Sequence, residues 1–424
     1  MLQIVKANGV AEKEVLSAIR SRAAETGARI QATVSEMMER VRKEGYPAVE
    51  AYSLQLDGVK PREIEKEEWD AAVSRCPKDL YAALERGAHN IRSYQTQLLQ
   101  QTKRWASPDG GMVGCLVRGL TRVGIYVPGG RAAYPSSVLM NAVPAKVAGV
   151  EEIVMVTPPT EHFSDAVLTA ARIAGVDRVF AVGGVQAVAG LTFGAGMLPK
   201  VDKLVGPGNA YVAAAKRMAY GHLDIDMVAG PSEVLVIADQ TANPKYVAAD
   251  LLSQAEHDVM ASAILLTDSM ELAEAVHKEM TRQMGYLSRA EIIEQSLRDF
   301  GASIVCSSLE QAAELANDIA PEHLEVLTKD PEGLLPRLKH AGAIFLGAYS
   351  PEPLGDYMAG PDHVLPTSGT ARFFSPLSVE SFLKRTSFIS YDRNALEKAK
   401  DSILTLAKAE GLTAHANSIA VRFE

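Results

Sequence analysis

Cysteine is scarce in this chain: Cys76, Cys115 and Cys306 are the only three among 424 residues. An odd, dispersed set with no CxxC pair excludes a disulfide framework and a thiolate metal site, and a reducing compartment is the expectation. Long apolar runs are also missing. None reaches the ~18 residues a membrane-spanning helix needs. The opening MLQIVKANGVAEKEV lacks the apolar core and small-residue cleavage site of a signal peptide. Basic clusters are absent as well, since 43 Lys and Arg stand against 52 Asp and Glu for a net charge of −9. That balance argues against nucleic-acid and membrane-surface partners. What remains is a cytoplasmic globular protein, 47% hydrophobic and 22% charged. Its length suits two or three domains. A mildly acidic chain needs local positive features to hold anions, and helix N-termini supply them.

Two textures alternate along the chain. Residues 1–50 and 62–105 have helical apolar spacing, with a break near Pro77. From about residue 121, short apolar runs alternate with amphipathic stretches: RVGIYVPGG, EEIVMVTPP, RVFAVGG and KLVGPGN read as strands and turns, each followed by a helical segment. A second set begins at SEVLVIAD and continues through SAILLTD, ASIVCS, LEVLT and GAIFLG, after a break near 229–233. This rhythm predicts an α/β fold of two Rossmann-like parallel-sheet units with helical N-terminal and C-terminal extensions. The expected divisions are an arm over 1–20, a first unit formed by 21–120 and 233–374 with a helical insert, a second unit over 121–232, and a helical tail over 375–424.

Three glycine turns follow strands in the second unit, at 128–130, 183–184 and 206–209. None is a GxGxxG. Each alone reads as a tight strand-to-helix turn, but three at strand C-terminal ends form an edge where parallel sheets bind ligands.

The polar residues raise a separate question. In LLSQAEHD, read as the end of a helix over 244–258, Gln254 and His257 are three apart and share a face. His323 in APEHLE, His363 in AGPDHVLP and His415 in GLTAHANS also sit in punctuated or acid-rich contexts, accompanied by Glu322, Glu352 and Asp356. Imidazole, carboxylate and a neutral oxygen together suit zinc or a similar divalent ion. Glu322 and His323, being adjacent, suit an acid–base pair better than joint chelation.

These motifs resemble the histidinol dehydrogenase family. The resemblance runs from about residue 115 to the C-terminus and is carried by RVGIYVPGGRAAYPSSVLMNAVPAKVAGV, VGGVQAVAGLTFG, VDKLVGPGNAYVAAAK, DMVAGPSEVLVIAD, LLSQAEHD, APEHLEV, YSPEPLGDYMAGPDHVLPT and EGLTAHANSI. It implies zinc ligation by Gln254, His257, Asp356 and His415, which also contact substrate, and catalysis by Glu322 and His323. It implies further substrate contacts at Ser232, His323, His363 and Glu410, and NAD contacts at Tyr126, Gln186 and Asn209, making 121–232 the NAD-binding unit. The implied reaction is oxidation of L-histidinol to L-histidine by two NAD through the aldehyde, the last step of histidine biosynthesis. The implied assembly is a homodimer whose tails, with Glu410 and His415, enter the partner's site.

Other readings of the same residues stay open. A thiohemiacetal route would need a nucleophilic thiol, and Cys115 lies in the apolar GMVGCLVRG. A related dehydrogenase acting on a different amino or sulfonated alcohol is a second. A zinc hydrolase with Glu322 as water base would leave the glycine turns without purpose, and a non-catalytic metal protein would leave Glu322 and His323 without one.

Overall fold

The computed structural model describes residues 2–21, 27–129, 134–228 and 230–424. Gly130 of the first glycine turn and Ala229 at the expected break lie outside them.

The first sheet has six parallel strands in the order β1 (Gln3–Lys6), β12 (Gly301–Val305), β11 (Ser262–Thr267), β10 (Glu233–Ala238), β13 (His323–Leu327) and β14 (Ala343–Leu346). Every residue of β10, β11 and β13 is buried, as inner strands covered on both faces require. Alternation sorts their side chains. Val234 and Val236 pack under α10 (Pro244–Ala255), α11 (Met270–Met284) and α12 (Ala290–Phe300). Leu235 and Ile237 pack under α1 (Ala11–Ser21) and α13 (Leu309–Ile319). The short α14 (Pro331–Leu334) and α15 (Glu352–Tyr357) flank β14 in sequence.

The second sheet runs β2 (Arg62–Glu63), β7 (Arg178–Ala181), β6 (Glu152–Thr157), β5 (Arg122–Tyr126), β8 (Lys203–Val205) and β9 (Asp224–Ile225), with only β2 antiparallel. Ile125, Ile153 and Met155 pack against α4 (Lys66–Arg75), α5 (Lys78–Leu98), α6 (Pro135–Val147) and α7 (Asp165–Ala174). Val154, Val156 and Phe180 pack against α2 (Ala28–Glu44), α3 (Tyr46–Asp57), α8 (Gly184–Phe193) and α9 (Ala210–Ala219). Residues 28–98, grouped from the sequence with 233–374, thus cover the second sheet instead. Their periodicity identified which helix faces are apolar, but it carries no information on which sheet receives them.

A third, antiparallel sheet joins β15 (Leu383–Ser390), β4 (Met112–Gly119) and β3 (Lys103–Ala106). The expected helical tail therefore contains a strand, after a single 3-10 turn at Val379–Phe382 and before α16 (Arg393–Ala409) and α17 (Thr413–Ala420). Most of β15 is exposed, so it lacks the apolar alternation that marks a half-buried strand. Among the described residues no helix is long and apolar enough to cross a membrane.

Candidate active site

The helix that carries Gln254 starts as its sequence dictates. The Asn243 side chain accepts a hydrogen bond from the Lys245 N–H at 3.0 Å, and Pro244 fills the first turn. It ends at Ala255, earlier than expected, so His257 lies in the following turn, where its N–H bonds the Gln254 carbonyl at 3.2 Å. The two residues remain neighbours, through a turn rather than along a helix face.

A cleft of about 1140 Å³ brings much of the expected constellation together. One wall is the carboxyl edge of the second sheet, where Pro207, Gly208 and Asn209 follow β8 and Pro128 and Gly129 follow β5. The other wall is the amino edge of the first sheet. Ser232 precedes β10, Glu322 precedes β13, and His323 is the first residue of β13. Gln254, His257, Asp356 and His363 line the same space.

Glu322 and His323 both hang on the backbone of Glu233. The Glu233 N–H donates to Glu322 Oε2 at 2.8 Å, and the Glu233 carbonyl accepts from His323 Nδ1 at 2.9 Å. A carbonyl can only accept, so the proton sits on Nδ1 and Nε2 keeps its lone pair. That Nε2 is buried with no hydrogen-bond partner. Burial is the main cause that lowers His323 to about 4, against the opposing Asp356 charge and the Glu233 bond. Burial likewise raises Glu322 well above the usual carboxylate range, despite the Glu233 N–H bond, and the nearby carboxylates add to it. The result is a neutral imidazole beside a carboxyl group with high proton affinity.

The metal-type residues form a second layer of the same wall. Gln254 is 1% exposed, yet neither its Oε1 nor its Nε2 has a partner. A buried amide left unbonded is costly, and a metal ion would satisfy its oxygen. His363 Nδ1 lies 3.6 Å from Asp356 Oδ1, and its Nε2 is 3.5 Å from Ser137 Oγ on α6. Ligand atoms of His323, Glu352 and Asp356 lie within 4.8 Å of one another, a grouping that could hold a cation. Nitrogen and oxygen donors of this kind fit zinc. Glu352 was visible in the sequence only as an accompanying carboxylate; its spacing of four from Asp356, which puts both on one turn of α15, was the available signal.

Other expected residues are elsewhere. Tyr126 and Gln186 are buried and do not line the cleft. Tyr126 Oη accepts from the Gly184 N–H at 3.0 Å, tying the end of β5 to the start of α8. Gln186 Nε2 donates to Asp57 at 3.1 Å. Asn209 does line the cleft and caps α9. Glu410 and His415 are exposed at α16 and α17 and do not line this chain's cleft. All three cysteines are free, and none lines it.

The two opposed α/β sheets, with Glu322 and His323 lining the cleft at their facing edges, give an α/β architecture with the candidate site between sheets. The family model for histidinol dehydrogenase matches residues 20–423. A histidinol dehydrogenase of Heliobacterium mobile is 56% identical over 405 residues, 94% of each chain. That of Clostridium acetobutylicum is 50% identical over 428 residues, 100% of this chain and 99% of its own. The crystal structure of histidinol dehydrogenase from Elizabethkingia anophelis superposes with a TM-score of 0.94 at 34% identity, covering 100% of this chain and 98% of that one. A lactaldehyde dehydrogenase at 11% identity and a TM-score of 0.50 shares the fold alone. The chain belongs to the histidinol dehydrogenase family and is an oxidoreductase of histidine biosynthesis.

Proposed function

We propose that this protein oxidises L-histidinol to L-histidine in two NAD-dependent steps through L-histidinaldehyde. The observation that carries the reading is the bare, buried Nε2 of His323 beside Glu322, in a cleft shared by the glycine turns after β5 and β8 and by Gln254, His257 and Asp356. Zinc, when bound, supplies a template that grips the substrate's nitrogen atoms, and NAD supplies the two-electron acceptor for each step. Gln254, His257 and Asp356 would hold the metal.

His323 Nε2 takes the hydroxyl proton as the carbinol carbon gives up hydride, leaving the aldehyde. Glu322 then draws a proton from water, whose oxygen adds to the aldehyde carbon while His323 returns its proton to the carbonyl oxygen, which gives the hydrate and leaves the imidazole neutral again. His323 removes a hydrate proton during the second hydride loss, and the carboxylate forms. Tight fixation of both side chains by one backbone residue keeps them in register with the substrate.

The fourth ligand, His415, and the substrate contact Glu410 come from the tail of a second subunit in this reading. Three ligands in the cleft and the remote, exposed fourth support a homodimer with exchanged tails. Sparse free cysteines fit the cytoplasm.

Purified protein supplied with L-histidinol and NAD is expected to release two NADH per histidinol consumed. Absence of NADH from zinc-loaded protein overturns the proposal.

A further inference from the structure

A buried ion pair lies directly behind the glycine turn that carries Asn209. Lys216 Nζ on α9 is 2.5 Å from Asp226 Oδ1, and the two side chains are only 4% and 2% exposed. Lys216 Nζ also donates to the Gly206 carbonyl at 2.7 Å. Asp226 Oδ2 accepts from the Gly206 N–H at 2.8 Å, and Oδ1 accepts from the Met227 N–H at 2.7 Å. Both backbone groups of one glycine are therefore held by the two members of one salt bridge.

Gly206 leaves little room for adjustment. Its φ is +105°, and a Cβ there would fall 2.2 Å from the Tyr126 carbonyl oxygen. The turn is thus pressed against the end of β5 while the ion pair holds it from behind. Pro207, Gly208 and Asn209 follow at once and line the cleft.

Stability alone does not explain such a pair. Desolvating two charges roughly cancels their attraction, and well-packed apolar residues often serve as well or better. Apolar residues, however, would leave the Gly206 N–H and carbonyl unbonded in a dry setting. The nearby Lys203–Asp224 pair differs: Asp224 is 54% exposed, and the contact of 2.7 Å joins neighbouring strands without touching the turn.

We propose that Lys216 and Asp226 are positioning residues for the dinucleotide, fixing the 206–209 backbone as the surface on which NAD rests. The inference depends on the reading that NAD occupies the glycine turns.

The test uses the zinc-loaded enzyme and K216M/D226N, which removes both charges and strands neither. K216M alone is the second variant, because Asp226 keeps its two backbone N–H donors there. The expected result is an NAD KM raised on the order of ten-fold or more. NADH affinity by fluorescence titration should weaken equally, while histidinol KM and kcat at saturating NAD stay within about two-fold. K203M, the control, should shift thermal stability but leave the NAD KM unchanged. A folded variant of either kind with wild-type NAD KM and NADH affinity overturns the positioning role. Wild-type enzyme that binds no NADH overturns the underlying NAD reading, and the positioning role with it.

Discussion

His323 Nδ1 donates to the backbone carbonyl of Glu233 across 2.9 Å, on the strand next to its own. This one contact selects the tautomer that presents a lone pair to the cleft. The same Glu233 binds Glu322 through its N–H, so the two side chains share an anchor, and the proposed reaction gives them different work. Glu322→Gln should slow oxidation of histidinaldehyde by about 10²–10⁴-fold and spare the alcohol step by comparison. His323→Asn should slow both. Single-turnover NADH formation from alcohol and from aldehyde separates the steps. Equal losses in both for Glu322→Gln would refute this division.

Metal content can be followed without turnover. Chelation should abolish activity and zinc should restore it. Gln254→Ala and Asp356→Ala should lower bound zinc as read by elemental analysis. Glu352, close to Asp356, should act from behind, with Glu352→Gln weakening zinc roughly 10–100-fold. Full zinc occupancy in Gln254→Ala after dialysis would remove that residue from the ligand set.

Tail exchange predicts complementation between two dead variants. Gln254→Ala and His415→Ala should each be inactive. When the two are unfolded and refolded together, each hybrid dimer regains one intact site, and activity should return to about a quarter of wild type. No recovery, with hybrids demonstrated by mass, would mean that the tail serves its own subunit.

A carboxyl cluster behind the site sets a pH dependence of stability. Glu325, fully buried on β13, accepts from the Glu352 N–H at 2.8 Å. Burial first, then the Asp250 charge, push it up to about 9. An unfolded chain releases this proton near 4.3, so the folded state holds it to higher pH. Its stabilising contribution is complete below about 4.3 and is lost as pH climbs toward about 9. Glu325→Gln should therefore gain stability relative to wild type between about pH 5 and about pH 8 in urea unfolding. Parallel stability curves would contradict this assignment.

Much of the fold was legible because buried parallel strands announce themselves. SEVLVIAD and SAILLTD are uniform apolar runs, and they became β10 and β11. Edge and exposed strands did not: β1 has one buried residue in four, and β15 alternates poorly. Both depend on partners far along the chain, which local pattern cannot supply. The candidate site was legible where chemistry breaks pattern, as with Gln254 in an apolar helix and His323 opening an apolar strand, both of which line the cleft. Lys216 and Asp226 escaped notice because a lysine on an amphipathic helix and an aspartate in a turn both look solvated until their burial is known. The opposition of one sheet's carboxyl edge to the other's amino edge likewise has no signature in a single chain.

The pairing of β1 with β12 also imposes an order on biosynthesis. Residues 3–6 leave the ribosome long before their partners, residues 302–305. The second sheet is complete once residue 225 has emerged. The nascent chain can thus form its second sheet while β1 waits, unpaired, for a strand made much later, and that interval is when the segment is open to chaperones.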